Sequence, residues 1–232
     1  MSFDGGGSEG VENVVVEKVG GLYNWSIEYK FVGGKMNYSI YNRRSIRKYI
    51  DKQVSKEMID QIIDAGRMAP SAKNRQPWKY IVLGGKDKSE FLEYMWKGIL
   101  REENEQPLLP NSKNGIPAAK NTWNIMMQAP ILIVILNTNG KSPLAEIDTD
   151  SRVTEICDTL SIGASIENML LKATEIGLGT LWIANTCYAY KELTEYLKTT
   201  QQLVGAIALG CADETPKQRL RKKIEDIVEY RL

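Results

Sequence analysis

Two stretches of this chain, APILIVILN (residues 129–137) and QLVGAIALGC (202–211), are apolar almost from end to end. A strand with one wet face alternates polar and apolar residues; these two do not, so each reads as a strand buried within the molecule. KYIVLGG (79–85), closed by a glycine turn, and GTLWIAN (179–185) read as two more. Helical patterns lie between them. Ser55 is a suitable N-cap for a helix whose apolar stripe is Met58, Ile59, Ile62 and Ile63 and which ends near Gly66. Further helices are expected over 37–43, 88–103, 151–176 and 189–198. In the longest of them, Val153, Ile156, Leu160, Ala164 and Leu171 are expected to face inward, and Gly163 and Ala164 to admit a second helix closely. Strands and helices interleave, so the class is α/β in a loose sense or α+β.

Two segments stand apart from this pattern. RMAPSAKNRQPW (67–78) reads as a loop, because Pro70 and Pro77 both forbid helix continuation. NEQPLLPNSKNGIPAAKN (104–121) is rich in Pro, Asn and Gly and reads as an excursion of the kind that covers a site. At the N-terminus, MSFDGGGSEG and the residues up to 35 lack helical periodicity, and NWSIEYKF alternates only weakly, like an edge strand. GGKM (33–36) can be encoded by GGAGGAAAAATG, a purine-rich ribosome-binding sequence ahead of an ATG. The expectation is therefore that residues 1–35 are a translated leader of low order and that 36–232 form one domain.

Composition narrows the function. The formal net charge is +1 over 232 residues, which argues against a surface built for nucleic acid. The longest apolar run, Ala129 to Leu136, is too short to cross a bilayer, and no secretory signal pattern is visible. Cys157, Cys187 and Cys211 are odd in number and contain no C-x-x-C, which points to a reducing, cytoplasmic setting. The chain has no histidine. Ser-His-Asp and Cys-His catalysis and H-E-x-x-H zinc hydrolysis are thereby excluded, so difficult chemistry would have to come from a bound cofactor. No metal site is expected. No G-x-G-x-x-G follows a strand, and no G-x-x-x-x-G-K-[ST] occurs. Glu102/Glu103 and Asp148/Asp150 read as solvated surface carboxylates. Cys187 reads as a small buried hydrophobe. Trp78, Trp123 and Trp182 are candidate pocket aromatics, with a core position expected for Trp182.

The basic residues are more informative. YNRRSIRKY (41–49) places Arg43, Arg44, Arg47 and Lys48 around Ser45. Such a cluster can serve nucleic acid, a membrane surface, a phosphate-bearing cofactor, or solvent alone. Guanidinium forks with a hydroxyl between them suit a phosphate. A second basic segment, PKQRLRKK (216–223), follows the last buried strand, and the two can meet in space.

RRSIRKY, then APSAKNRQPW, GLGTLWIAN and ALGCADETPKQRLRKKIEDIV, in this order and spacing, resemble the nitroreductase family of flavin enzymes. The likeness runs from about Asn37 to Ile227. NTWNIMMQAPILIVIL and SIGASIENMLLKATEIGLGTLWI are also similar to family segments. The resemblance implies an α+β fold with a central, mostly antiparallel sheet flanked by helices, in an intertwined homodimer with FMN at the subunit interface. It implies that Arg43, Ser45 and Arg47 bind the phosphate and ribityl chain, with Arg44 in the same motif, and that Lys217 and Arg219 close over the phosphate. Pro70, Ser71 and Asn74 match a loop that reaches the flavin from the other subunit. Ala184 and Asn185 match the backbone near the flavin's reactive edge; some members carry an acidic residue where Ala184 stands, so its role here is a main-chain one. The implied activity is FMN-dependent oxidation of NAD(P)H with reduction of nitroaromatics, quinones or a similar small acceptor by ping-pong turnover. The alternatives are a relative acting on an enone or halogenated aromatic, and a flavin-binding carrier or regulator with little turnover.

Overall fold

The computed structural model describes residues 14–19, 22–27, 35–104 and 107–232. Two strands, β1 (Val14–Val19) and β2 (Leu22–Ile27), pair antiparallel in a sheet of their own, with Val19 opposite Leu22. The expected start at Met36 concerns a segment that, apart from β1, β2 and Lys35, lies outside the described residues.

The main sheet contains β3 (Tyr49–Ile50), β4 (Trp78–Gly84), β5 (Ile131–Asn137), β6 (Gly179–Ile183) and β7 (Gln202–Ala212). The hydrogen-bonded order is β3-β7-β5-β4, with β6 also on β7, and every one of these pairings is antiparallel. The helices are α1 (Lys35–Asn42), α2 (Lys56–Arg67), α3 (Gly85–Glu103), α4 (Ile116–Gln128), α5 (Thr149–Glu175) and α6 (Tyr190–Tyr196). Mixed helices around a central antiparallel sheet make this an α+β fold.

The uninterrupted apolar strands have a simple cause. Leu132, Val134 and Leu136 of β5 point into one core with Phe91, Met95 and Ile99 of α3 and Met126 of α4. Ile133 and Ile135 point the other way, into a core with Ile62 of α2 and Ile162, Ile166 and Met169 of α5. Alternate residues face opposite helical layers, so both sets must be apolar. Ser55 caps α2 by accepting the Met58 N–H (3.3 Å), and Asp148 caps α5 by accepting the Ser151 N–H (2.8 Å).

Several expectations are corrected. The excursion at 104–121 ends earlier, because α4 begins at Ile116. Pro117 stands in its first turn, where a missing N–H costs nothing. In α5 the inward residues are Ile162, Ile166, Met169 and Ala173, while Val153, Ile156 and Leu160 face outward, Leu160 being 71% exposed. This helix is apolar on two sides, and the sheet takes the opposite one. Trp182 is 46% exposed, whereas Leu181 and Ile183 on the other side of β6 are buried. Trp123 packs against Trp96 and donates its indole N–H to Leu92 O (2.8 Å). Cys187 is exposed, on the turn after β6.

Glu102 is likewise no surface carboxylate; it is 1% exposed. It accepts the N–H groups of Leu108 (2.9 Å) and Leu109 (3.2 Å) and pairs with Arg101 (2.5 Å), which also pairs with Glu192 of α6 (2.6 Å). The carboxylate thus ties the segment after α3 back onto the helix. Burial raises the Glu192 carboxyl, but the Arg101 hydrogen bond and charge outweigh it and hold the group below its usual range.

Candidate functional site

The two basic segments are about 170 positions apart, and the sheet places them side by side. Ile50 pairs with Cys211 and Tyr49 with Ala212. The antiparallel run continues as Asp213 N–H donates to Lys48 O (3.0 Å), and Arg47 N–H donates to a Glu214 carboxylate oxygen. Continuing that register sets residues 43–47 beside residues 214–218, although the main-chain bonding to this segment ends at Lys48 and Arg47. Tyr49 locks this crossing by donating its hydroxyl to Ile46 O (2.9 Å) and Ala208 O (3.3 Å). Burial, and secondarily the Glu214 charge, push its phenol well above the usual range, while Arg47 opposes them.

The first segment then leaves β7 for β6. Ile46 N–H donates to Thr180 O (2.9 Å), and Ser45 forms a parallel bridge with Thr180. Gly179 makes this possible, since a Cβ there would lie 2.9 Å from Ile46 Cγ1.

The result is a cavity of about 70 Å³ lined by Arg43, Arg44, Ser45 and Arg47 on one wall. Pro216, Lys217, Gln218, Arg219 and Arg221 form the other. Several guanidiniums are held in place. Arg43 Nε lies 3.3 Å from a Glu167 carboxylate oxygen of α5. Arg44 Nη1 donates to Tyr41 O and Arg43 O (2.8 Å each), and Arg47 Nη1 to Ser45 O (3.1 Å). Arg43, Arg44 and Arg47 are half-buried, whereas Lys217, Arg219 and Arg221 are exposed. Sequence reasoning missed Gln218 and Arg221, although QRLRKK carried the signal: once Lys217 and Arg219 face an anion, an extended chain returns Arg221 to the same side. A cavity this small, walled by cations and one hydroxyl, suits a phosphate group.

The other site candidates do not line this cavity. Pro70, Ser71 and Asn74 stand on the loop between α2 and β4. Lys73 (φ 55°), Asn74 (φ 53°) and Gln76 (φ 47°) all occupy the left-handed region, a concentration that the surroundings must enforce. Arg75 supplies the restraint, its guanidinium contacting fully buried Asp158 of α5 at 2.7 and 2.8 Å. Asn139 Nδ2 donates to the other Asp158 oxygen (3.0 Å), and Ala72 N–H donates to Ser161 Oγ (3.2 Å). Ser71 Oγ closes the loop by accepting Gln76 N–H (3.0 Å). Ala184 is exposed at the end of β6, and Asn185 Nδ2 donates to Thr122 Oγ1 of α4 (2.9 Å). Among the described residues, no group of three His, Cys, Asp or Glu is placed to hold a metal ion. No described helix is long and apolar enough to cross a membrane.

The pattern of the nitroreductase family matches residues 40–211. A nitrobenzene nitroreductase from Ectopseudomonas oleovorans is 43% identical over 213 aligned residues, 82% of this chain and 93% of that protein. A protein of Archaeoglobus fulgidus, provisionally named NADH dehydrogenase/NAD(P)H nitroreductase, is 30% identical over 166 residues, 72% of this chain and 74% of its own. Among solved structures, a BluB-like flavoprotein from Clostridium difficile superposes with a TM-score of 0.70 at 25% identity, covering 86% of this chain and all of that one. A provisionally named nitroreductase from Desulfovibrio desulfuricans, in complex with FMN, gives 0.64 at 22% identity, covering 87% of this chain and 99% of that one. With most of the described domain inside the matched span, the chain belongs to the nitroreductase family.

Proposed function

We propose that this protein is an FMN-dependent NAD(P)H oxidoreductase of nitroreductase type. The observation that carries the reading is the small cavity on which two basic segments, remote in sequence, converge. Arg43, Arg44, Ser45, Arg47, Lys217 and Arg219 would hold the FMN phosphate. From Thr180, beside Ser45, the chain runs along β6 and reaches Ala184, just past its end, after four residues, about 13 Å. That course leads from the phosphate toward the ring, where the main chain of Ala184 and Asn185 would meet the isoalloxazine edge. Bound FMN supplies the reversible two-electron chemistry that a chain without histidine lacks. The protein's part is to fix the cofactor by its phosphate and to leave one face open. Because hydride donor and acceptor share that face, they must visit in turn, which is ping-pong turnover. The likeness to a protein named nitrobenzene nitroreductase supports nitroaromatics as the acceptor class of this chain, and quinones of similar shape are the next candidates.

A homodimer fits this reading. Val153, Ile156 and Leu160 of α5 and Trp182 are exposed, and Leu220, Ile224, Ile227 and Tyr230 are exposed along the C-terminal segment. So much apolar surface is covered when a second copy packs against it. In such a dimer Pro70, Ser71 and Asn74 would approach the flavin bound by the partner. The purified protein is expected to be a yellow dimer whose denaturation releases FMN and not FAD. A monophosphate suits a cavity this small and cationic, whereas the inner pyrophosphate of FAD would need a longer channel for its adenosine. Chromatography of the released flavin and mass measurement of the native protein check this. A colourless protein that fails to take up added FMN would refute the reading, and a monomer fully occupied by FMN would refute the dimer.

A further inference from the structure

We propose that Glu214 is a positioning residue that sets the spacing between the two cationic walls of the phosphate cavity; this rests on the reading of that cavity as a phosphate site. The last main-chain bond between the two segments is Asp213 N–H to Lys48 O. Two residues upstream, Ile46 N–H has already turned to Thr180 O on β6. Arg47 is therefore the residue at which the first segment changes strands. At that point a regular ladder offers its N–H no partner on β7. The Glu214 carboxylate takes it instead.

A side-chain carboxylate reaches farther than a main-chain carbonyl, so the two backbones can separate here while still being tied. Pro216, two residues on, has no N–H with which to resume a ladder. The gap held open between residues 43–47 and 216–221 is the cavity itself. Glu214 is half-buried, and its charge is felt by Tyr49 on the neighbouring strand.

The clamp requires an oxygen acceptor at this position and not a negative charge. FMN and riboflavin are titrated into apoprotein of the wild type, Glu214→Ala and Glu214→Gln, following flavin fluorescence. Glu214→Ala should bind FMN about tenfold more weakly, the loss of one hydrogen bond and of the alignment it enforces. Glu214→Gln, which keeps the oxygen, should stay within about threefold of wild type. Riboflavin affinity should be the same for all three, which also shows that the variants are folded. Glu214→Ala binding FMN as tightly as wild type, or more tightly, would overturn the proposal, since Glu214 would then be idle or a competitor of the phosphate. Equal weakening by both variants would overturn it too, since the charge and not the clamp would matter. If wild type itself shows no preference for FMN over riboflavin, the phosphate reading falls, and this proposal with it.

Discussion

Replacing both Arg47 and Arg219 by alanine should weaken FMN binding by roughly two orders of magnitude while leaving riboflavin nearly unaffected. The half-buried Arg47 guanidinium is the larger contributor. A charge-assisted bond in such a setting contributes about 1.5–3 kcal/mol, or roughly ten- to hundredfold in affinity. Arg219 is exposed in the single chain, so solvent screens it and its loss alone should cost only a few-fold. Two groups that share one anion are coupled, so the double variant should depart from the sum of the single ones by about 0.5 kcal/mol or more. Flavin titration of the four apoproteins reads this directly. Equal losses for FMN and riboflavin would remove the phosphate from the account.

Arg75→Met should be the most destabilising single change near the site, lowering the unfolding free energy by about 3–5 kcal/mol in urea titrations. The reason lies with the partner. Asp158 is 0% exposed against 26% for Arg75, so removing the cation strands a buried carboxylate with Asn139 as its remaining side-chain partner among the described residues. Adding Asp158→Leu should restore most of the stability, because an apolar pair of similar volume avoids the desolvation cost. If the loop meets the partner's flavin as proposed, the double variant should nevertheless not recover the flavin affinity. Lys73, Asn74 and Gln76 hold unfavourable left-handed backbone that the ion pair enforces. A double variant as unstable as Arg75→Met would show that the loop's destabilisation has another origin than the stranded charge.

These two sites differ in how far the sequence exposes them. The apolar strands are legible because their composition alone requires burial; the basic segments are legible as candidates for an anion, with a solvated face left open by composition. The meeting of Arg47 with Glu214 follows only from the register of β3 on β7, which no local pattern encodes. Arg75 was visible within APSAKNRQPW, but its partner Asp158 lies 83 residues away, inside a helix that reads as amphipathic. That helix shows why orientation failed. Val153, Ile156 and Leu160 form one stripe and Ile162, Ile166, Met169 and Ala173 another, and spacing cannot say which meets the sheet. Glu102 was misread for a related reason: its neighbours in sequence are polar, and its burial depends on a chain that folds back to donate the N–H groups of Leu108 and Leu109.

In the proposed reaction, FMN seated by its phosphate in this cavity carries electrons from a nicotinamide donor to a small acceptor. Mixing FMN-loaded protein with NADH or NADPH under anaerobic conditions, then adding nitrobenzene or a quinone, tests it most directly. The flavin absorbance should bleach with at least one donor and return when the acceptor is added, with no donor needed in the second half-reaction. Flavin that stays oxidised with both donors would rule out this electron transfer.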